Sequence, residues 1–323
     1  MGTWQKTRFL AHHNSSDDTL KYLVQCAICK ADFTQFIDLF TGRDRFHEIE
    51  GEFHVQTCGS CGIVFLNPQP TFDEIRKYYP DNYYSYHQTI ERTIVTKLHD
   101  KLKRLFYARG FPLANGTRVL DIGCGNGEKL SEFLALGADC YGVEINEKAV
   151  EVARSKGIKA YHGDLFGQDF EEKFFDVVIM DNVFEHMAEP GRLLTKVYAL
   201  LKDDGTLVIT VPNRSSFTRF IFGKQWIGYQ VPQHFFTYSP RTLKIVAQRN
   251  GFILEKIRHV QNSYQFLASL RFMLRSFSKF WKLPSDRSVV FDNSILKSIV
   301  FFLLFPFNVF RCGDAIKVFF TKK

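Results

Sequence analysis

The sequence predicts an α/β protein built on a doubly wound parallel sheet, with a small cysteine-rich segment ahead of it. Three observations lead there. Short apolar runs at 118–122, 140–144, 159–162, 176–180 and 206–211 read as buried strands separated by helical stretches, the alternation that yields parallel strands with helical crossovers. The first of these strands breaks into a loop, Asp121-Ile122-Gly123-Cys124-Gly125-Asn126-Gly127, that opens a helix at 128–136. Two Cys-x2-Cys pairs, Cys26/Cys29 and Cys58/Cys61, stand upstream of it.

Taken in chain order, residues 1–20 are polar and are expected to be loose. Residues 21–90 form a cysteine-rich segment with a tyrosine-rich linker. No charged leader with an apolar core opens the chain, which argues against a secreted, disulfide-bonded segment. Four thiolates in two pairs match the tetrahedral ligand set of a structural zinc ion; two redox pairs or incidental thiols are the alternative. The long gap between the pairs must fold back, as a hairpin turning near Gly42 and Gly51. Thr71 reads as a helix N-cap with Glu74 at the capping-box position, ahead of the tyrosine-rich run 77–86. Cys124, Cys140 and Cys312 read as packing residues, with Cys124 a candidate for reactivity because it lies in the glycine loop.

Residues 91–323 hold the α/β domain. A helix is expected at 92–109, with Ile94, Leu98, Leu102, Leu105 and Phe106 on one face. In the loop that follows the first strand, Gly123, Gly125 and Gly127 allow positive φ and bare backbone approach, and the helix start offers unpaired N–H groups. Asp121 ends that strand, Glu144 ends the next, and Gly163-Asp164-Leu165 follows the third. Ligands of open α/β sheets bind at this carboxyl edge, so the three acids converge there. A dinucleotide site would space its glycines G-x-G-x-x-G; here the spacing is D-x-G-x-G-x-G, and the acid suits a cationic ligand.

This pattern resembles the class I S-adenosylmethionine (SAM) methyltransferases over residues 92–260 plus the final strand. The resemblance implies a seven-stranded Rossmann-like sheet whose last strand, Asp314 to Phe320, runs antiparallel, leaving 261–313 as a helical insertion. It also implies that Asp121 anchors the glycine loop near the methionine moiety, Glu144 binds ribose, and Asp164 with Leu165 meets adenine. The run Cys-x-x-Cys-Gly, an apolar stretch, Asn-Pro-x-Pro and paired tyrosines looks like the zinc-binding N-terminal domain of a methyltransferase subgroup. Nucleotide-sugar C-methyltransferases and polysaccharide and natural-product enzymes belong to that subgroup.

The fourth strand ends in Asp181, with Glu185 and His186 just beyond, where the transferred methyl is expected to point. An Asn/Asp-Pro-Pro-aromatic motif for amino methylation is absent from this position. The Glu-His pair is similar to that of small-molecule O- and C-methyltransferases, with His as base and Glu orienting it. Some quinone-type O-methyltransferases place a metal-binding acid three residues before the Glu; here Asn182 stands there, which speaks against metal-assisted catalysis. His234 is the rival base, in a loop whose Trp226, Tyr229, Phe235, Phe236 and Tyr238 would wall the acceptor. A purely structural role is the alternative for each histidine.

Net charge is +8 but unevenly placed: residues 1–213 carry −6 and residues 214–323 carry +14. The basic part predicts an anionic acceptor or an anionic surface. The expected acceptor is a small or glycan-type anion, such as a nucleotide sugar, sugar phosphate or lipid-linked saccharide, methylated on O or C. An RNA acceptor is disfavoured because the cysteine-rich segment 21–70 is itself net acidic; a non-catalytic SAM binder is the third reading. The helix at 264–282 carries an apolar stripe from Phe266 to Trp281. Its two readings are packing on the body or a second subunit, as in a homodimer, or lying in a membrane plane. No run reaches the length of a spanning helix, so the expected location is cytoplasmic, with peripheral membrane contact through 264–282 under the second reading.

Overall fold

The computed structural model describes residues 20–79, 111, 114–260, 263–277, 300, 303–304 and 306–323. The expected loose start before residue 20, the tyrosines at 83–86, the helix at 92–109 and the insertion segment 278–299 lie outside the described residues.

The cysteine-rich segment folds as short strands: β1 (Leu20–Lys21), β2 (Phe36–Gly42), β3 (Phe53–Cys58), β4 (Val64–Leu66) and β5 (Gln69–Pro70). The expected hairpin is β2 against β3, antiparallel, with Phe36 opposite Cys58 and Gly42 opposite Phe53. Its connection is held by the buried Asp44, whose carboxylate accepts the backbone N–H groups of Phe46, His47 and Ile49. Helix α1 (Phe72–Arg76) is capped by Thr71, whose hydroxyl accepts the N–H of Glu74.

The main sheet begins with β6 (Arg118–Ile122), then α2 (Glu128–Leu134), β7 (Asp139–Glu144), α3 (Glu147–Ser155), β8 (Lys159–His162), β9 (Phe175–Asp181), α4 (Pro190–Leu200) and β10 (Leu201–Pro212). Next come α5 (Phe217–Phe222), β11 (Phe236–Thr237), α6 (Pro240–Arg249), β12 (Phe252–Val260), α7 (Ser263–Phe277), α8 (Pro306–Val309) and β13 (Ala315–Lys322). Seven of these strands form one sheet in the order β12-β13-β10-β9-β6-β7-β8. Strand β13 runs antiparallel to both its neighbours and the other pairings are parallel, as expected for the final strand. The order reverses at β6, so the loop after β6 opens into the crevice where such sheets take ligands. Val177, Val178, Ile179 and Met180 of β9 are fully enclosed, which is why this strand reads as an unbroken apolar run. Strand β10 starts five residues earlier than its apolar pattern suggests. Its register against β9 shifts between Leu201 and Thr206, and the polar Lys202-Asp203-Asp204-Gly205 is absorbed as an irregular strand start.

Two features were hidden in the sequence. Strand β11 pairs antiparallel with β4, giving a second sheet in the order β11-β4-β3-β2. The cysteine-rich segment thus shares hydrogen bonds with the loop after β10, and one apolar core runs from Phe36 and Phe65 to Phe184, Trp226 and Tyr229. The second is α5. Leu267 of the expected stripe is buried together with Ala268, Phe272 and Arg271, whereas Leu274 of the stripe is exposed, and the Ser269 hydroxyl accepts the N–H of Ile227 at 2.9 Å. Over the described residues 263–277, one side of this helix packs on the body.

Candidate active site

The glycine loop leaves β6 with Gly123, Gly125 and Gly127 all at positive φ. A Cβ on Gly123 would sit 2.5 Å from a Val183 methyl, so this turn is closed to any side chain. Glu144 ties the loop to the end of β7. Its two carboxylate oxygens accept the N–H groups of Gly125 and Asn146, each at 2.9 Å. The acid thus holds the backbone that lines the site, in addition to the ribose role expected of it, and each oxygen retains a second lone pair. Asp164 is exposed and caps the turn 165–167 by accepting the N–H of Gly167, with Leu165 buried beneath it.

Asp121 is 1% exposed and its Oδ1 has no hydrogen-bond partner. Burial pushes its carboxyl up to about 7, against the pull of Lys129. The Lys129 ammonium lies 2.6 Å from Asp181 and 3.6 Å from Asp121. Lys317, reaching in from β13, is buried too, and burial lowers it to about 7. Neither lysine was foreseen, though Lys129 left a signal: a cation in the first turn of a helix opposes the dipole there. Lys317 is a lone charge in the otherwise apolar Ala315-Ile316-Lys317-Val318-Phe319-Phe320. Cys124 is buried in this loop, and burial and then Asp121 and Glu144 hold its thiol above the ordinary range.

Asn182 adopts a left-handed conformation, φ 55°, which Asn tolerates better than most residues. The turn folds the chain back after β9 and drives Glu185 into the core at 1% exposure, with neither carboxylate oxygen hydrogen-bonded. Burial, then the charge of Asp181, raises Glu185 to about 8, so it is neutral at pH 7. His186 and His234, treated in sequence as rivals, are neighbours with ring centres 4.6 Å apart. The Nδ1 of His186 lies 2.8 Å from the Gln233 carbonyl and 2.9 Å from the Tyr79 hydroxyl. The Nδ1 of His234 lies 2.8 Å from the Gly228 carbonyl. A carbonyl only accepts, so each Nδ1 carries the proton and each Nε2 presents a lone pair. Burial lowers His186 to about 4 and His234 well below its ordinary value, which keeps both rings neutral. The Nε2 of His234 is 4.0 Å from Glu185 Oε1. Ligating atoms of Glu185, His186 and His234 all fall within 4.8 Å of one another. Phe184 stacks on Tyr238 at 5.1 Å beside them, and Trp226, Tyr229, Phe235 and Phe236 are buried in the same core. Tyr79 and Gln233 were missed, because nothing local marks them.

The residues around the loop fit SAM: an orphaned buried carboxylate oxygen, bare backbone, and acids facing a site for a sulfonium. The four cysteines also converge. Cys26 and Cys61 sulfurs are 3.7 Å apart and those of Cys29 and Cys58 are 3.5 Å apart, and all four fall within 4.8 Å of one another. A tetrahedral zinc with sulfurs at ~2.3 Å requires S···S separations of about 3.8 Å. The donor set therefore fits zinc, with no position left for catalysis.

A sequence profile described as a methyltransferase domain matches residues 84–257, more than half of the chain. The chain belongs to the SAM-dependent methyltransferase family. Among characterised relatives, a ubiquinone biosynthesis O-methyltransferase of Cereibacter sphaeroides is 35% identical over 36% of this chain and 51% of its own length. One of Rhodopseudomonas palustris is 26% identical over 46% of this chain and 67% of its own. The alignments thus span about half to two thirds of these relatives. A SAM-dependent methyltransferase from Archaeoglobus fulgidus, known by crystal structure, covers 71% of this chain and all of its own at 22% identity and TM-score 0.46.

Proposed function

We propose that this methyltransferase moves a methyl group from SAM to an oxygen or carbon of a small or glycan-type anionic acceptor, with the histidine pair as base. The observation that carries the reading is the position of Asp181. It joins the carboxylate–lysine cluster beneath the glycine loop and also raises the Glu185 carboxyl of the histidine site. Cofactor acids and candidate base thereby meet at one strand end.

When bound, SAM supplies a methyl already activated on a sulfonium, so the protein's work is alignment and proton removal. The neutral Nε2 of His186 or His234 accepts the acceptor's proton. The Gln233 and Gly228 carbonyls fix the tautomers and support the rings as they become charged. Glu185, kept protonated by burial, lies with its Oε1 4.0 Å from His234 Nε2 and turns a polar carboxyl toward the ring that takes up the proton. The aromatic wall excludes water. The zinc ion, held by Cys26, Cys29, Cys58 and Cys61, would fix the sheet on which β11 rests.

A second reading, a phenolic hydroxyl acceptor, is favoured by the relatives' assignment to ubiquinone biosynthesis. Incubation with methyl-labelled SAM and a panel of nucleotide sugars, sugar phosphates, polyprenyl-linked saccharides and catechols separates them. Label in a saccharide class supports the first reading, label confined to catechols replaces it with the second, and SAM binding without label transfer to any class rejects both.

A further inference from the structure

The three most exposed large hydrophobic side chains among the described residues are Phe220 at 79%, Phe310 at 74% and Leu303 at 69%. They belong to α5 and to the residues on either side of α8, which meet through Phe217 and Phe307. Helix α5 places Phe217, Phe220 and Ile221 at i, i+3 and i+4, on one side, and that side faces water. Its opposite side is anchored, with Thr218 and Phe222 buried and Phe222 edge-on to Phe266 of α7 at 5.4 Å. Phe217 then stacks on Phe307 of α8 at 4.2 Å, which carries the apolar face across to the segment exposing Leu303 and Phe310. A monomer does not gather its largest apolar groups on one outer face without a use for them.

Charge says what covers this face. Segments 214–224 and 303–313 contain Arg214, Arg219, Lys224 and Arg311 and not one Asp or Glu, while Arg271 of α7 is buried and Arg275 pairs with Glu48 at 3.3 Å. Lys224 and Arg311 are exposed and Arg219 is half-buried beside the apolar tips. A second copy docked about a twofold axis would set these cations against themselves. An anionic bilayer meets both features at once, taking the rings into the acyl boundary and the cations against headgroup phosphates. No helix among the described residues is long and apolar enough to cross a membrane, so the protein would lie on the surface.

We propose that α5, with Leu303, Phe307 and Phe310, forms a docking face for anionic phospholipid membranes. The buried side of α7 is the scaffold behind the face. Helix α5 runs straight into the loop carrying Trp226, Tyr229 and His234, so docking sets the acceptor side of the enzyme at the bilayer surface. The docking is independent of which acceptor is methylated.

The test is sedimentation of the full-length, metal-replete protein with phosphatidylcholine–phosphatidylglycerol vesicles and with pure phosphatidylcholine vesicles, at low and high salt. The wild type is expected to sediment with the anionic vesicles and to be released by salt. Phe220→Ser with Phe310→Ser should weaken binding by roughly tenfold or more. Arg219→Glu with Arg311→Glu, which keeps the rings, should release the protein from anionic vesicles too. Unchanged SAM affinity in both variants shows that they remain folded, and keeps the result separate from the methyltransferase reading. Wild-type protein that stays in solution with anionic vesicles overturns the proposal, as does a Phe220→Ser/Phe310→Ser variant that binds like wild type. Self-association of the wild type, lost in that variant and without vesicle binding, would assign the face to a second copy instead.

Discussion

The proposed cofactor half and the proposed acceptor half of this site share a sheet edge but are built on different plans. The glycine loop, Asp121, Lys129 and Glu144 lie within two adjacent βα units, and their contacts run through neighbouring backbone. The acceptor half draws Tyr79, Glu185, His186, Gln233 and His234 from three separate stretches of chain. The glycine loop is thus held mainly by short-range contacts, with Asp181 of β9 and Lys317 of β13 joining the carboxylate–lysine cluster. The second half depends on the packing of the whole protein.

That contrast can be broken experimentally. The largest effect is expected from Gly125→Val, since φ at this position is 54° and a valine there is strained and would fill the loop. Calorimetry should show SAM affinity below detection with the fold intact; retained affinity would detach the loop from the cofactor.

His186→Ala should leave SAM affinity near wild type and cut turnover by about 10²–10⁴. His234→Ala should do comparable damage, and the double variant little more, because the two rings act on one proton. Multiplicative losses would show two separate roles.

Zinc removal is the sharper comparison, since the two halves should respond differently. SAM affinity should hold, while turnover falls by roughly tenfold or more as the support for β11 loosens. Equal loss of both, followed by calorimetry and elemental analysis, would show one cooperative unit.

The smallest effect is on stability. Glu185 is raised to about 8 by burial, so the folded state binds a proton that the unfolded chain has lost. Its contribution is whole below the unfolded value of about 4.5 and disappears as pH rises through 8. Asp121, raised to about 7, acts in the same direction. Glu185→Gln should therefore melt a few degrees above wild type at pH 9, with the gap closing toward pH 5. Melting curves that shift in parallel at every pH would mean the carboxyl is not held neutral.

The same contrast decided what could be read from the sequence. Five parallel strands and the β2–β3 hairpin were legible because periodicity and glycine punctuation are local, while the antiparallel last strand followed only from the family resemblance. Glu185 and His186 were legible from their distance past β9. Their partnership with His234 was not, since nothing in either segment encodes a pairing across 48 residues of chain. The pairing of β11 with β4 was equally hidden: Phe236 and Thr237 are too short a run to announce a strand. Lys129 and Lys317 were visible only as misfits, a cation at a helix start and a charge in an apolar strand.

The pairing of β4 with β11 has a consequence in time as well as space. The N-terminal module leaves the ribosome long before residues 236–237 are made, so it can capture its metal while the catalytic sheet is still incomplete. The loop ahead of α6 would then be moulded on a template that already holds the ion. A chain born under metal starvation would finish its cofactor cradle and lack the surface against which the histidine loop sets. It would hold SAM and leave it unreacted. Metal supply at the moment of synthesis, rather than metal turnover in the mature enzyme, would decide what fraction of molecules is competent.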